Sequence, residues 1–457
     1  MFYNNAAPSF AFAFTLLISS SSFAQSILDR LSGFDQSRVH TASQWAENVE
    51  DAGMGAEAAK LVYQVNRFAR GGVLTKGRTG DIGSNAITGE IVSFNGKATK
   101  IDRWRLPVDL ASTLEFNDLF RVEITASHDD DKWIVITSVV PNAWLRSQKD
   151  PDFQTAVTGV LARKSDEPLL PVIVAPSVAW LAGSDDDGGK VPAGWAMLGK
   201  RGFDVALLEG VRGRNRQPLK EEDAAAFYSL LRTAAMLDEA SNVPTAPDPA
   251  PAATLLKDSA NLVGRYLRLD LQSVRATRIR VTAPITKERL GADNYWQIDA
   301  FGDLGNVVIK IESKDAESAI FENRYPVSIA MRDLPPFFAN EIAAENRSAD
   351  INTIDTAMIS RSIAVEGFFY RLWSYESDFM NQHGGGKQFG PLVIASRMID
   401  IEAPRTAPTA VSGIGWYVAL MTLAGILLAT VGAVVSSRRD ARMKKKARAG
   451  LPDRIIQ

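Results

Sequence analysis

Apolar positions along the chain change their period several times, and each change predicts an element. From Gln25 to about Arg70 they recur every three or four residues, with Ala56, Ala59, Leu61, Val62, Val65 and Phe68 on one face. That spacing predicts amphipathic helix, ended by Gly71-Gly72. Ile87-Gly89-Ile91 and Val122-Ile124 then alternate, and Trp133-Ile134-Val135-Ile136-Thr137 is a short β-branched run. Both patterns are strand signals. Helical spacing returns after Lys220-Glu221-Glu222-Asp223, where Phe227, Leu230, Leu231, Ala234 and Leu237 share a face. Acids in the first turn suit the positive end of that helix.

Two stretches are apolar on every face. Phe10 to Ser20 is too short to cross a bilayer but matches the apolar region of a signal peptide. Small residues at Ser22-Phe23-Ala24 predict cleavage after Ala24, although Met1–Ser9 has no Lys or Arg. Ile414 to Val435 contains no charged residue. As a helix it would cover roughly 33 Å, the thickness of a hydrocarbon core. Trp416 and Tyr417 occupy its outer end, where amphipathic rings favour the interface, and Arg438-Arg439 mark the cytoplasmic side. Gly425, Ala429 and Ala433 fall four apart, a spacing that would let two such helices touch.

Between these segments lies an internal repeat. Val157-Thr158-Gly159-Val160 followed by Pro171-Val172-Ile173-Val174-Ala175-Pro176 is echoed by Val365-Glu366-Gly367-Phe368 followed by Pro391-Leu392-Val393-Ile394-Ala395-Ser396. Thr88-Gly89-Glu90-Ile91 pairs with Val263-Gly264-Arg265-Tyr266, and Val140-Pro141-Asn142-Ala143-Trp144 with Leu334-Pro335-Pro336-Phe337-Phe338. The order of three strands, short helix and two strands resembles the five-stranded OB-type barrel, with a β-sandwich as the alternative. Gly89 and Gly264 would lie where the first strand bends sharply, and Pro141 to Gln148 would form the helix.

The chain therefore reads as mainly β with helical segments, an α+β protein. The expected order is a signal peptide (1–24), a helical region (25–85), a first barrel-like repeat (86–183), and a helical region with a Pro/Ala-rich linker (184–257). A second repeat (258–403), a linker (404–413), one transmembrane helix (414–436) and a basic cytoplasmic tail (437–457) follow. Pro244 to Ala253 should be extended and mobile.

Charge adds an asymmetry. The tail from Arg438 carries eight basic and two acidic side chains, and residues 1–24 carry none, so the middle holds about −8 of a total of −2. An acidic exported body argues against a nucleic-acid partner. The absence of cysteine removes disulfides and thiolate chemistry.

Candidate chemistry is sparse. His40, His128 and His383 are scattered. His128-Asp129-Asp130-Asp131 and Ser184-Asp185-Asp186-Asp187-Gly188-Gly189 read as acidic loops without calcium-loop spacing. Gly384-Gly385-Gly386-Lys387 lacks the hydroxyl residue of a phosphate loop. Arg265, Arg268, Arg275, Arg278 and Arg280 make the opening strand of the second repeat basic and are expected in ion pairs. Trp104, Trp144, Trp180 and Trp195 are expected in the core or at an interface rather than as sugar platforms. No catalytic residue, metal site or cofactor is expected. The sequence reads as a single-pass, membrane-anchored envelope protein, exported except for its tail. Its tandem domains would serve as an interaction or assembly module, with the bilayer and a protein partner or second copy as contacts. The alternative is an envelope hydrolase or glycan-binding protein with converging carboxylates, which calls for a deep pocket with two acids and aromatic walls.

Overall fold

The computed structural model describes residues 27–402, apart from 73, 75–77, 80–85, 128–130, 147–151, 165–168, 184–190, 239–244, 312–318, 347–350, 352–353 and 383–386. The signal peptide, linker 404–413, transmembrane segment and tail all lie outside the described residues. Among the described residues no helix is long and apolar enough to cross a membrane.

The chain opens with α1 (Gln36–Gln44) and α2 (Ala52–Arg70). Asp35 and Asp51 cap them, accepting from the N–H groups of Arg38 and Met54 at 2.8 and 2.9 Å. A short strand β1 (Arg78–Thr79) leads into the first barrel: β2 (Ile91–Arg105), α3 (Val108–Leu114), β3 (Asp118–Ala126), β4 (Lys132–Thr137), α4 (Asn142–Arg146), β5 (Phe153–Arg163) and β6 (Val172–Val174). The edge strand β7 (Val178–Trp180) pairs with β5. The ring runs β2-β3-β4-β6-β5, and β2–β5 pairing closes it. Only β4–β6 is parallel within that ring. This is an OB-like barrel, so the sandwich alternative falls.

The apolar runs in β4 and β6 follow from burial on both faces. Val135 and Ile173 point into the barrel core. Ile134, Ile136, Val172 and Val174 point outward and are covered by the apolar face of α1 and α2.

The second half repeats this plan. Helices α5 (Ala193–Gly199), α6 (Leu207–Gly213) and α7 (Ala224–Asp238) are followed by β8 (Asp248–Pro249), α8 (Ala252–Lys257) and α9 (Ser259–Leu262). The barrel comprises β9 (Tyr266–Arg280), α10 (Pro284–Leu290), β10 (Asn294–Asp303), the hairpin β11 (Ile309–Ile311) and β12 (Ala319–Phe321), β13 (Arg324–Met331), α11 (Pro336–Glu345), the edge strand β14 (Thr356–Met358), β15 (Ser362–Glu376), α12 (Asp378–Gln382) and β16 (Lys387–Asp400). Its ring is β9-β10-β13-β16-β15, closed by β9–β10 pairing, with β13–β16 parallel. Helix α7 lies against β13 and β16, as α2 lies against β4 and β6. The repeated unit is therefore a helical layer plus a barrel. The Pro/Ala-rich stretch is extended at Asp248–Pro249, and there it is pinned along β9, with the Ala250 N–H donating to Arg268 O at 2.9 Å.

The aligned glycines occupy matched sites. Gly89 and Gly264 have φ of 89° and 77°, and their N–H groups donate to Leu161 O and Phe369 O, each at 2.8 Å. They sit just before the first strand, which corrects the expectation of a bend there. Strand β2 exchanges β5 for β3 around Gly96, and β9 exchanges β15 for β10 at Leu271–Ser273. Gly159 faces Ala175 across the strand pair and Gly367 faces Ala395, so close that a Cβ would collide with the carbonyl of Val174 or Ile394.

Candidate ligand groove on the second barrel

Four residues beyond each of those second glycines the two copies place an arginine. Arg163 pairs with Val172 and Arg371 with Leu392, each directly after a register shift in the strand. A bulge of this kind re-aims a side chain. Arg163 donates through Nε to Leu170 O at 3.2 Å and through Nη2 to the Glu47 carboxylate of the preceding helical layer. Arg371 is 0% exposed. It donates to Arg214 O, to Pro218 O at 3.1 Å, and to Asp223 Oδ2 at 2.6 Å. Burial lowers the Arg371 pKa and the Asp223 charge opposes the shift. Asp223, expected as a helix-dipole acid, is instead this buried partner, and its Oδ1 also accepts from Arg214 Nε at 2.8 Å.

This clamp holds the segment that presents Arg216. Arg216 is one of three non-glycine residues at positive φ, at 65°, among the described residues. Such a conformation costs on the order of 1 kcal/mol and persists where the surroundings enforce it. Here the guanidinium of Arg371 binds the carbonyls on both sides, at residues 214 and 218. The Arg216 N–H donates to Leu372 O at 2.9 Å, and the Leu372 N–H donates to Asn215 Oδ1 at 3.0 Å.

Strands β10 and β15 both run antiparallel to β9, so they leave the barrel at the same end. There β15 and β16 continue as a projecting hairpin from Leu372↔Pro391 to Glu376↔Lys387. Opposite them β11 and β12 form a separate hairpin, and Phe321 packs against Tyr325 and Phe379 at centroid separations of 4.8 and 4.7 Å. With α8 these elements enclose a groove of about 1030 Å³. Leu256, Leu304, Ile309, Ile311, Leu372 and Phe389 form its apolar walls. Exposed Val307 lies on its margin, beside the yet more exposed Val308. Tyr325 donates its hydroxyl to Phe389 O at 2.7 Å, and burial pushes its phenol pKa well up, so it stays a neutral donor.

Arg216, Lys257 and Lys310 also line the groove. None of the three has an ion-pair partner among the described residues. The one carboxylate among the described lining residues, Asp303, accepts the Gly305 N–H at 2.7 Å. A smaller groove holds Asp270 and Asp303, without aromatic walls. Among the described residues neither groove combines paired acids with aromatic walls, as the hydrolase alternative calls for, and the larger one suits binding through apolar contact and positive charge.

The other candidates lie elsewhere. Trp416, Tyr417, Gly425, Ala429, Ala433, Arg438 and Arg439 are outside the described residues, as are His128, His383, 184–189 and 384–386. His40 is on α1, its ring 3.4 Å from the Gln44 amide. Among the described residues no group of three His, Asp or Glu side chains is placed to hold a metal. Arg268 pairs with Asp270 and Glu366, Arg275 with Asp299, and Arg278 and Arg280 with Asp355, whose carboxyl pKa they hold low. Trp144, Phe153, Trp180 and Trp195 form a buried row with centroid separations of 5.1, 5.9 and 6.0 Å. Trp195 Nε1 donates to Val263 O at 3.0 Å, tying the first barrel to the entry of the second. Trp104 packs on Trp45 at 6.1 Å.

No family model and no curated protein matches the chain. Among solved structures it is similar to a replication protein A heterotrimer bound to ssDNA, at 10% identity and a TM-score of 0.15, over 72% of this chain and 52% of that one. A putative aspartyl-tRNA synthetase from Leishmania major Friedlin matches at 9% identity and 0.16, over 50% and 48%. An Entamoeba histolytica asparaginyl-tRNA synthetase in complex with asparaginyl-adenylate matches at 10% and 0.15, over 49% and 52%. The chain spans about half the length of each. The expected partner set excluded nucleic acid, and that exclusion is withdrawn. That exclusion rested on net charge, which does not govern one local surface. Likeness of this size does not identify the ligand of this chain.

Proposed function

We propose that this chain is a membrane-anchored envelope protein whose tandem OB-like barrels act as a non-enzymatic interaction module, with the groove of the second barrel as its binding site. The observation that carries the reading is the groove: apolar walls, three cations without ion-pair partners among the described residues, and one carboxylate already engaged by backbone. The anchor rests on the apolar segment 414–436 and the basic residues after it, with the barrels on the outer side of the membrane.

A photo-crosslinking residue placed in the full chain at Val308, 58% exposed beside the groove, tests the site in intact cells. The control position is Val108, 83% exposed on the first barrel. The proposal expects a discrete adduct at 308, none at 108, retention of the chain in carbonate-washed membranes, and a reporter behind Gln457 that is active only in the cytoplasm. Equal labelling at both positions, or none at 308, contradicts the binding site. Release by carbonate contradicts the anchor.

A further inference from the structure

We infer that the groove takes a single-chain anionic lipid, an acyl chain ending in a phosphate head. The inference rests on the reading of the groove as the binding site and names its ligand class.

Three observations point there. First, Leu304, Ile309, Ile311, Leu372 and Phe389 together supply apolar wall to the groove. Second, the backbone along those walls is already engaged. The Leu304 N–H donates to Asn323 O at 2.8 Å, Leu372 O accepts the Arg216 N–H, and Phe389 O accepts the Tyr325 hydroxyl. An extended peptide docks on free main-chain donors and acceptors, and these three positions offer it little. An acyl chain needs only the apolar surface. Third, Arg216, Lys257 and Lys310 oppose the single engaged charge of Asp303, which leaves a local excess of two positive charges among the described lining residues. A phosphate monoester carries about −1.5 to −2 near neutral pH and so matches that excess better than a carboxylate does. The groove volume of about 1030 Å³ stands at the upper end of the range for sites that hold one drug-sized ligand.

Arg216 allows a test that spares the fold. At φ 65° glycine is at least as comfortable as arginine, so Arg216→Gly removes the cation and keeps the loop. The full chain is reconstituted in nanodiscs of zwitterionic diacyl lipid, and a diazirine-bearing monoacylglycerol phosphate is titrated in, with adducts mapped by mass spectrometry. Saturable labelling within residues 253–257, 303–311 and 372 is expected. Arg216→Gly and Lys257→Ala should each weaken it about tenfold. The uncharged monoacylglycerol should compete at least tenfold less well, the free fatty acid should fall between, and glycerol phosphate should not compete. Labelling outside the groove, indifference to both substitutions, or displacement by a single-stranded oligonucleotide or by glycerol phosphate overturns the assignment. An adduct at Val308 in cells without saturable lipid labelling sinks the lipid and leaves the interaction-module reading standing.

Discussion

The two barrels share a frame and differ in what has been added to it. Matching positions make matching bonds: Gly89 and Gly264 reach Leu161 and Phe369, and Arg163 and Arg371 follow the same register shift. The connection from β3 to β4 spans only 127–131, whereas 304–323 join β10 to β13 and include a hairpin. In the first copy β5 ends at the arginine, whereas β15 runs on to Glu376. The groove is built from those additions. One scaffold occurs twice, and the longer connections of the second copy line the groove.

The arginine clamps offer the strongest way to break the comparison. Arg371→Met leaves the buried Asp223 with Arg214 as its remaining ion-pair partner, strips the Arg214 and Pro218 carbonyls of their donor, and should cost about 3 kcal/mol in chemical denaturation. Asp223→Leu added to it should recover part of that loss, because the buried charge goes with its partner and Arg214, 26% exposed, is left to water. The middle region carries the next effect. Asp204 is partly buried, accepting the N–H groups of Trp180 and Ala206 at 2.9 and 3.0 Å. Burial, with a lesser push from Glu209, lifts its pKa from 3.8 to about 6 against those two donors. The folded state thus holds the proton more tightly than the unfolded chain. Its contribution is most favourable below the unfolded value, falls as pH rises from about 4 to 6, and is flat above. At pH 7 holding that charge costs up to roughly 3 kcal/mol, so Asp204→Asn should stabilise by no more than that amount and remove that part of the pH dependence of unfolding.

Arg163→Met should cost less, about 1–2 kcal/mol, because Glu47 is 42% exposed and water replaces the arginine. Equal losses at Arg163 and Arg371 would show that burial does not separate the copies. Val307→Ser, at a groove position 44% exposed, should change stability by less than about 0.5 kcal/mol and lower groove occupancy in the nanodisc titration.

Much of the frame was legible in the sequence. The alignment of Pro171–Ala175 with Pro391–Ala395 falls on the same register, with the middle residue of each run turned inward: Ile173 opposes Val135 as Val393 opposes Ile329. Strand burial imprints a pattern that a few residues reveal. Pro141 and Pro335 likewise begin the short helices that bury Trp144 and Phe338. The arginine in Gly159-Val160-Leu161-Ala162-Arg163 and Gly367-Phe368-Phe369-Tyr370-Arg371 was also visible, as a glycine followed four residues later by arginine in both copies. Its role was not, because a charged residue in a strand reads as solvent-facing. The groove left no such trace. Arg216, Lys257, Lys310 and Leu372 have no shared period, and they meet only because two strands exit one end of a closed barrel. The helical layers read as separate regions for the same reason, since their apolar faces pack on strands distant in sequence.

Hydrogen exchange on the intact nanodisc-bound chain, with and without the monoacyl phosphate, tests most directly that the second barrel alone holds the ligand. The account predicts added protection at 214–218, 303–311 and 372–376 and no change in 91–137. Protection of the first barrel, or of both barrels alike, would contradict it.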